Sequence, residues 1–294
     1  MANEYAVNQA DLAAVADAIR EKGGTSDALT FPGGFVDAVG AIQASNDDTA
    51  EKLLTRQTND IVIPDGVTYI GPYVFFSWTD LVITLPETIT TFGRGAFYLC
   101  RNLNLTRLPS GITEITDDLF RDCTNMPLES IPDGVTAIKG NAFASCNALK
   151  FTELPDSVLT LSGSAFRNAK IPLTRLSNNL VSIGDWCFGD NDLLALEEIP
   201  ESVTTIFNHA FIRCTSLNIK FIPKNVVEIR NSAFESCTGL TEITFEGTPT
   251  SIGATTFNYC TNLTTINVPW AEGEVANAPW GATNATINYN YTGG

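Results

Sequence analysis

The stretch IPDGVTAIKGNAFASC, Ile131 to Cys146, decides the fold, because close variants of it return down most of the chain. Within it Phe143 stands eleven places after Pro132, and Cys146 follows three places later. The proline slot recurs at Pro64, Pro86, Pro109, Pro132, Pro155, Pro200 and Pro223, with Ser177 and Glu246 filling two more slots, in steps of 22 or 23 residues. Eleven places beyond each slot lies a phenylalanine: Phe75, Phe97, Phe120, Phe143, Phe166, Phe188, Phe211, Phe234 and Phe257. Six places beyond each is a second apolar series: Ile70, Phe92, Ile115, Ile138, Leu161, Ile183, Ile206, Ile229 and Ile252.

A period of this size belongs to stacked-coil architectures. One coil is too small to bury its own apolar side chains, so it stacks on the next and like residues form ladders along the axis. Stacked strands lie about 4.8 Å apart, so nine coils make a core roughly 40 Å long. The reading is an α/β repeat solenoid of about nine coils, with the strand placed in the segment leading into each proline. Proline lacks the N–H a strand interior needs, and Asp65-Gly66, Asp133-Gly134 and Asp156-Ser157 supply turns after it. The leading segment runs Leu149, Phe151, Leu154 in one coil and Leu194, Leu196, Ile199 in another, but Leu240, Ile243, Phe245 and Leu263, Ile266, Val268 near the end. That switch is compatible with a change of face or with a bulge. The return segment GNAFASC is short enough for a single helical or 3₁₀ turn.

Six cysteines share one slot, fourteen after the proline: Cys100, Cys123, Cys146, Cys214, Cys237 and Cys260, while Trp78, Ala169 and Asn191 take it elsewhere and Cys187 lies outside it. A ladder of buried thiols acting as small hydrophobes accounts for this spacing. Disulfides serve small domains short of core, and zinc needs ligands converging at CxxC-like spacing or with histidines. His209 is the one histidine, five residues before Cys214, whose thiol belongs to the ladder and not to an electropositive cleft. There is no Walker loop, GxGxxG, HExxH or GxSxG, and the carboxylates are scattered. Neither catalysis, nor a cofactor, nor a metal is expected.

The ends differ from the repeats. Residues 1–45 read as a small helical domain: Asn8 caps a helix with Leu12, Val15, Ala16 and Ile19 on one face, Gly23-Gly24 stops it, and a second helix runs from Phe35 to Gln43. Residues 46–60 form a linker and first half-coil, 61–267 the solenoid, and 268–294 a C-terminal cap in which Trp270 and Trp280 lie over the last coil and Thr286–Tyr291 form a closing strand.

The net charge of -16 argues against nucleic acid and against anionic lipid. No window has the roughly 18 apolar residues of a membrane span, and the start, MANEYAVNQADL, lacks the basic head and apolar stretch of a secretory signal. The expectation is synthesis in a bacterial cytoplasm, with a leader already removed as the alternative.

The pattern IPDGVTxIxxxAFxxCxxL, over residues 58–268, resembles the BspA-type leucine-rich repeat family, also called the Treponema pallidum type. The resemblance implies a right-handed curved solenoid and, for most members, attachment at a bacterial surface. Residues 10–42 are similar to a module that begins tail and minor structural proteins of phages and prophages of gut Firmicutes, and APWGATNATINY to an ending of the same proteins. This implies that residues 1–45 dock on a virion or tail subunit, with a homo-oligomer compatible, and that the solenoid faces a host-surface protein or glycan. The alternatives are a cell-surface adhesin and a structural spacer. The binding face would use the variable residues of the leading segment: Lys150, Thr152, Glu153, Thr174, Arg175, Glu197, Glu198, Lys220, Glu242 and Thr244.

Overall fold

The computed structural model describes residues 60–63 and 65–293, and the expected helices of residues 1–45 lie outside them. The strands are short: β1 (Asp60–Val62), β2 (Tyr69–Ile70), β3 (Val82–Thr84), β4 (Thr91–Phe92), β5 (Glu114–Ile115), β6 (Ala137–Ile138), β7 (Thr160–Leu161) and β8 (Ser182–Ile183). They continue with β9 (Thr205–Ile206), β10 (Phe221–Ile222), β11 (Glu228–Ile229), β12 (Glu242–Phe245), β13 (Ser251–Ile252), β14 (Thr265–Asn267) and β15 (Thr286–Asn288). Every pairing between them is parallel. Among the described residues there is no helix, so the α/β class is corrected to an all-β solenoid there, and none of them forms a helix able to cross a membrane.

The continuous sheet is not where the sequence reading placed it. Seven strands in the order β13-β11-β9-β8-β7-β6-β5 come from the segment after the proline, the VTxI part of the repeat. The segment before the proline pairs as strands only near the two ends, as β1-β3 and as β10-β12-β14-β15. The reason is the side-chain period of two. In the middle coils two outward residues stand together, as at Thr152-Glu153, between buried Phe151 and Leu154, and this breaks the ladder to a single bridge, Glu153↔Arg175. Where alternation is regular, as at Leu81, Ile83 and Leu85, or at Ile243 and Phe245, a strand forms, and β10, whose coil keeps the outward pair Lys220-Phe221, is held to two residues beside the regular β12. The late switch in pattern therefore restores alternation and keeps the buried face.

The return segment is also corrected, from a single helical or 3₁₀ turn to a run of β-turns that share the three-residue closure of a 3₁₀ turn. In the coil of Phe143, Ala142, Ala144 and Cys146 each donate N–H to the carbonyl three residues back. The alternate N–H groups of Asn141, Phe143 and Ser145 instead donate to Gly163, Ala165 and Arg167 of the next coil. Turn closure and coil stacking thus share the amides, and few are left over. The geometry requires left-handed residues, at Asn141 (φ 54°) and Ser145 (φ 60°) here and at their equivalents down the stack. Asn, Asp and Ser fill many of these positions because their short polar side chains tolerate that region.

One apolar core runs the length of the stack. All nine ladder phenylalanines stack on their neighbours, with ring centroids 5.2 to 5.5 Å apart. At the C-terminal end Trp270 and Trp280 are buried, pack edge to face on each other at 6.2 Å, and close over Phe245. Beyond them β15 pairs with β14 in the register Ile266↔Ile287.

Candidate functional site

The cysteine ladder is a row of hydrogen-bond donors as well as of small apolar groups. Cys100, Cys123, Cys146, Cys214, Cys237 and Cys260 each donate S–H to the carbonyl of the phenylalanine one coil back, at 2.9 to 3.0 Å. All seven cysteines are buried free thiols. Burial pushes the Cys123, Cys146, Cys187, Cys214 and Cys237 thiols well above their ordinary range and Cys260 up to about 12. Reaction with a disulfide reagent requires the thiolate, so Ellman's reagent is expected to find no thiol in the native protein and all seven in urea. Fast reaction of even two thiols before unfolding would contradict the buried ladder.

His209 is half-buried and stacks on the Trp186 ring at 4.5 Å, while the Arg167 guanidinium lies over the same indole at 4.3 Å. Asp190 bridges Arg213 at 2.6 Å and Arg167 at 3.3 Å. Burial opposes ionisation of Asp190, but the two guanidiniums hold its carboxyl below the usual range. This packing ties three coils together. Among the described residues no cluster of three or more His, Cys, Asp or Glu side chains converges on a point.

The residues chosen from sequence for recognition line up on the leading-segment side. Lys150, Thr152, Glu153, Thr174, Glu197, Glu198 and Glu242 are exposed, and Arg175, Lys220 and Thr244 are half-exposed. The register aligns Glu153 with Arg175 and Phe221 with Thr244. The residues two places before each slot therefore form one column: Glu153, Arg175, Glu198, Phe221 and Thr244. The cations of this side are engaged from coil to coil. Arg175 reaches Glu153 at 3.0 Å and Asp156 at 2.8 Å, Lys150 lies 3.8 Å from Glu129, and Lys220 donates to Thr241 at 3.1 Å. Asp156 is held below the usual carboxylate range first by the Asn178 backbone N–H and then by Arg175. Glu242 accepts from Asn267 at 2.8 Å, and the Asn267 amide also reaches the Thr244 hydroxyl at 3.0 Å.

Sequence reasoning missed Phe221, which is 52% exposed in the middle of this column. A signal for it was present. It stands two places before Pro223, an offset that Glu153, Arg175, Glu198 and Thr244 fill in other coils. The residues after it, Ile222 and Pro223, are buried, so the ring is held out from a fixed backbone. Val62 and Val82, also exposed, extend the apolar side of the same leading segments at the first coils.

This arrangement defines a leucine-rich repeat solenoid that offers a long variable face. The chain belongs to the BspA type leucine-rich repeat family, whose six-copy repeat-region model matches residues 54–172 and 160–277. Among solved structures it is similar to a leucine-rich repeat protein from Bacteroides ovatus, at 17% identity and TM-score 0.55, covering 76% of this chain and 64% of that one. A leucine-rich repeat protein from Eubacterium ventriosum matches at 18% identity and TM-score 0.47, over 82% of this chain and 74% of that one. A leucine rich cell surface protein from Faecalibacterium prausnitzii matches at 23% identity and TM-score 0.42, over 74% and 80%. The chain thus spans less than two thirds of the Bacteroides ovatus protein. No curated protein sequence matches it.

Proposed function

We propose that the chain is a non-enzymatic recognition protein whose leading-segment face binds a host-surface protein or glycan. The observation that carries the reading is Phe221, an aromatic ring 52% exposed within a column of charged and hydroxyl side chains. Binding energy at such surfaces concentrates in a few aromatic and arginine anchors surrounded by weaker polar contacts. Phe221 with Lys220 and Arg175 supplies those residue types on a backbone held by the stack. Placement on a phage tail through residues 1–45 rests on the resemblance of residues 10–42. The second reading, a bacterial surface adhesin, is favoured by the family match over residues 54–277 and uses the same face.

The test measures retention of the full chain on envelope fractions of candidate host cells. Phe221→Ser, and separately Lys150→Gln, Arg175→Gln and Lys220→Gln combined, are each expected to weaken binding about tenfold or more. Melting temperature should barely change, because exposed ion pairs contribute little. Unaltered retention in both variants would remove this face from consideration. To separate the two readings, the chain is sought in purified virions and in washed cells.

A further inference from the structure

Among the described residues the last strand, β15, is paired along one edge only. Thr286 N–H donates to Thr264 at 2.9 Å, and Asn288 C=O accepts from Val268 N–H at 3.0 Å, so both residues turn their peptide groups toward β14. By the alternation of a parallel ladder, the N–H and C=O of Ile287 point the other way, off the end of the sheet. Exposed edges are ordinarily blunted by lysine, proline or a bulge. Ala285 to Tyr291, ATINYNY, has neither lysine nor proline. Ile287 and Tyr289 are only half-buried, since no further rung of the described residues lies over them, and they line a cleft of about 450 Å³ with Glu272, Val275 and Pro279. The amide ladder also stops there: Asn288 donates to Asn267 at 2.8 Å, and its own Oδ1 has no donor among the described residues.

We propose that the outer edge of β15 is a self-association surface, on which a second copy of this chain pairs its own β15 antiparallel across a two-fold axis through Ile287. Charge selects this occupant. Copies with a net charge of -16 repel one another, yet residues 275–294 contain no charged side chain. Two copies meeting here bring this uncharged stretch together, Glu272 being the one carboxylate that lines the cleft. The segment is also self-complementary, as a two-fold interface requires. With the axis at Ile287, each Ile287 N–H donates to the Ile287 C=O of the second copy, and Thr286 lies opposite Asn288. Tyr289 N–H then faces the C=O of Ala285, whose own N–H is already spent on Ala282. The four-stranded sheet β10-β12-β14-β15 becomes one of eight strands, and the apolar side of each added strand falls over Ile287 and Tyr289.

The test is sedimentation velocity and light scattering on the full chain, from about 1 to about 200 µM. The expected mass rises with concentration toward twice 31.7 kDa. Hydrogen exchange at the Ile287 amide should slow in parallel. Ile287→Pro removes the one N–H of β15 that points outward while sparing those to β14, and Ile287→Lys sets two like charges on the axis. Both are expected to give monomers with the wild-type melting temperature. A monomer at every concentration, a dimer that both variants leave intact, or Ile287 exchange that ignores concentration would each overturn the proposal.

Discussion

Phe166→Ala is expected to destabilise the solenoid by about 3–5 kcal/mol, the cost of emptying a fully packed aromatic site. Phe166 is completely buried, stacks on Phe143 at 5.3 Å and on Phe188 at 5.5 Å, and meets Phe151 edge-on at 6.3 Å. Each aromatic contact adds about 0.5–1.5 kcal/mol beyond area burial. The neighbouring rings cannot close the gap, because coil-to-coil bonds, Phe143 N–H to Ala165 C=O and Phe188 N–H to Ala210 C=O, fix each rung's backbone. Stacked coils touch only their neighbours, so a missing middle rung also uncouples the two halves. Urea unfolding followed by circular dichroism should show a lower midpoint and a shallower transition than wild type. Phe75→Ala, at the first rung, loses a stacking partner on one side only and should cost less. A loss below about 1 kcal/mol at Phe166 would mean that the rungs do not support one another.

How much of this was legible beforehand depends on what each residue reports. The phenylalanine, isoleucine and cysteine series were readable because an identical neighbour is the cheapest way to fill an identical gap. The site of the continuous sheet was not. Leu149, Phe151 and Leu154 look more strand-like than the two residues Ala137-Ile138, yet the Glu129-Ser130 and Thr152-Glu153 gaps break alternation in the leading segment and not in the VTxI segment. Counting the two-residue gaps would have found it. The helical label failed at GNAFASC because the left-handed residues Asn141 and Ser145 are individually unremarkable letters; only their return at each coil carries the turn signal. Of the recognition face, the alignment of Glu153 with Arg175 followed from the 22-residue step, whereas Arg175's commitment to Asp156 as well did not, since it depends on where one long side chain lies. Phe221 was overlooked because an aromatic beside Ile222 reads as core until the facing of the strand is known.

Asn191 shows how an exception to the ladder can be structural, and its replacement makes the other large prediction. It occupies the cysteine slot, fully buried, and its amide donates to Phe166 C=O at 2.7 Å, the bond a cysteine thiol makes elsewhere. It donates as well to Phe188 C=O at 2.8 Å. Its Oδ1 accepts from Ile171 N–H at 3.3 Å, which no thiol in the ladder does. The cause lies one coil back, where the step from Pro155 to Ser177 is 22 residues and a residue is missing between Ala169 and Ile171. In full-length coils the residue in the place of Ile171 closes a turn onto the cysteine carbonyl, as Leu217 N–H does to Cys214 and Leu240 N–H to Cys237. The shortened coil cannot close that turn, and Asn191 takes the stranded N–H instead. A buried polar group left unpaired costs about 1–3 kcal/mol. Asn191→Cys should keep the donor to Phe166 and strand only Ile171, whereas Asn191→Ala removes the donor too and opens a small void, for a total of about 2–4 kcal/mol. The expected order of urea midpoints is wild type, then cysteine, then alanine. Hydrogen exchange at the Ile171 amide should quicken in both variants more than at Phe166 or Phe188, whose amides donate to the next coil without help from Asn191. Equal stability of the cysteine variant and wild type would show that the amide oxygen carries nothing and that Asn191 is merely another small rung.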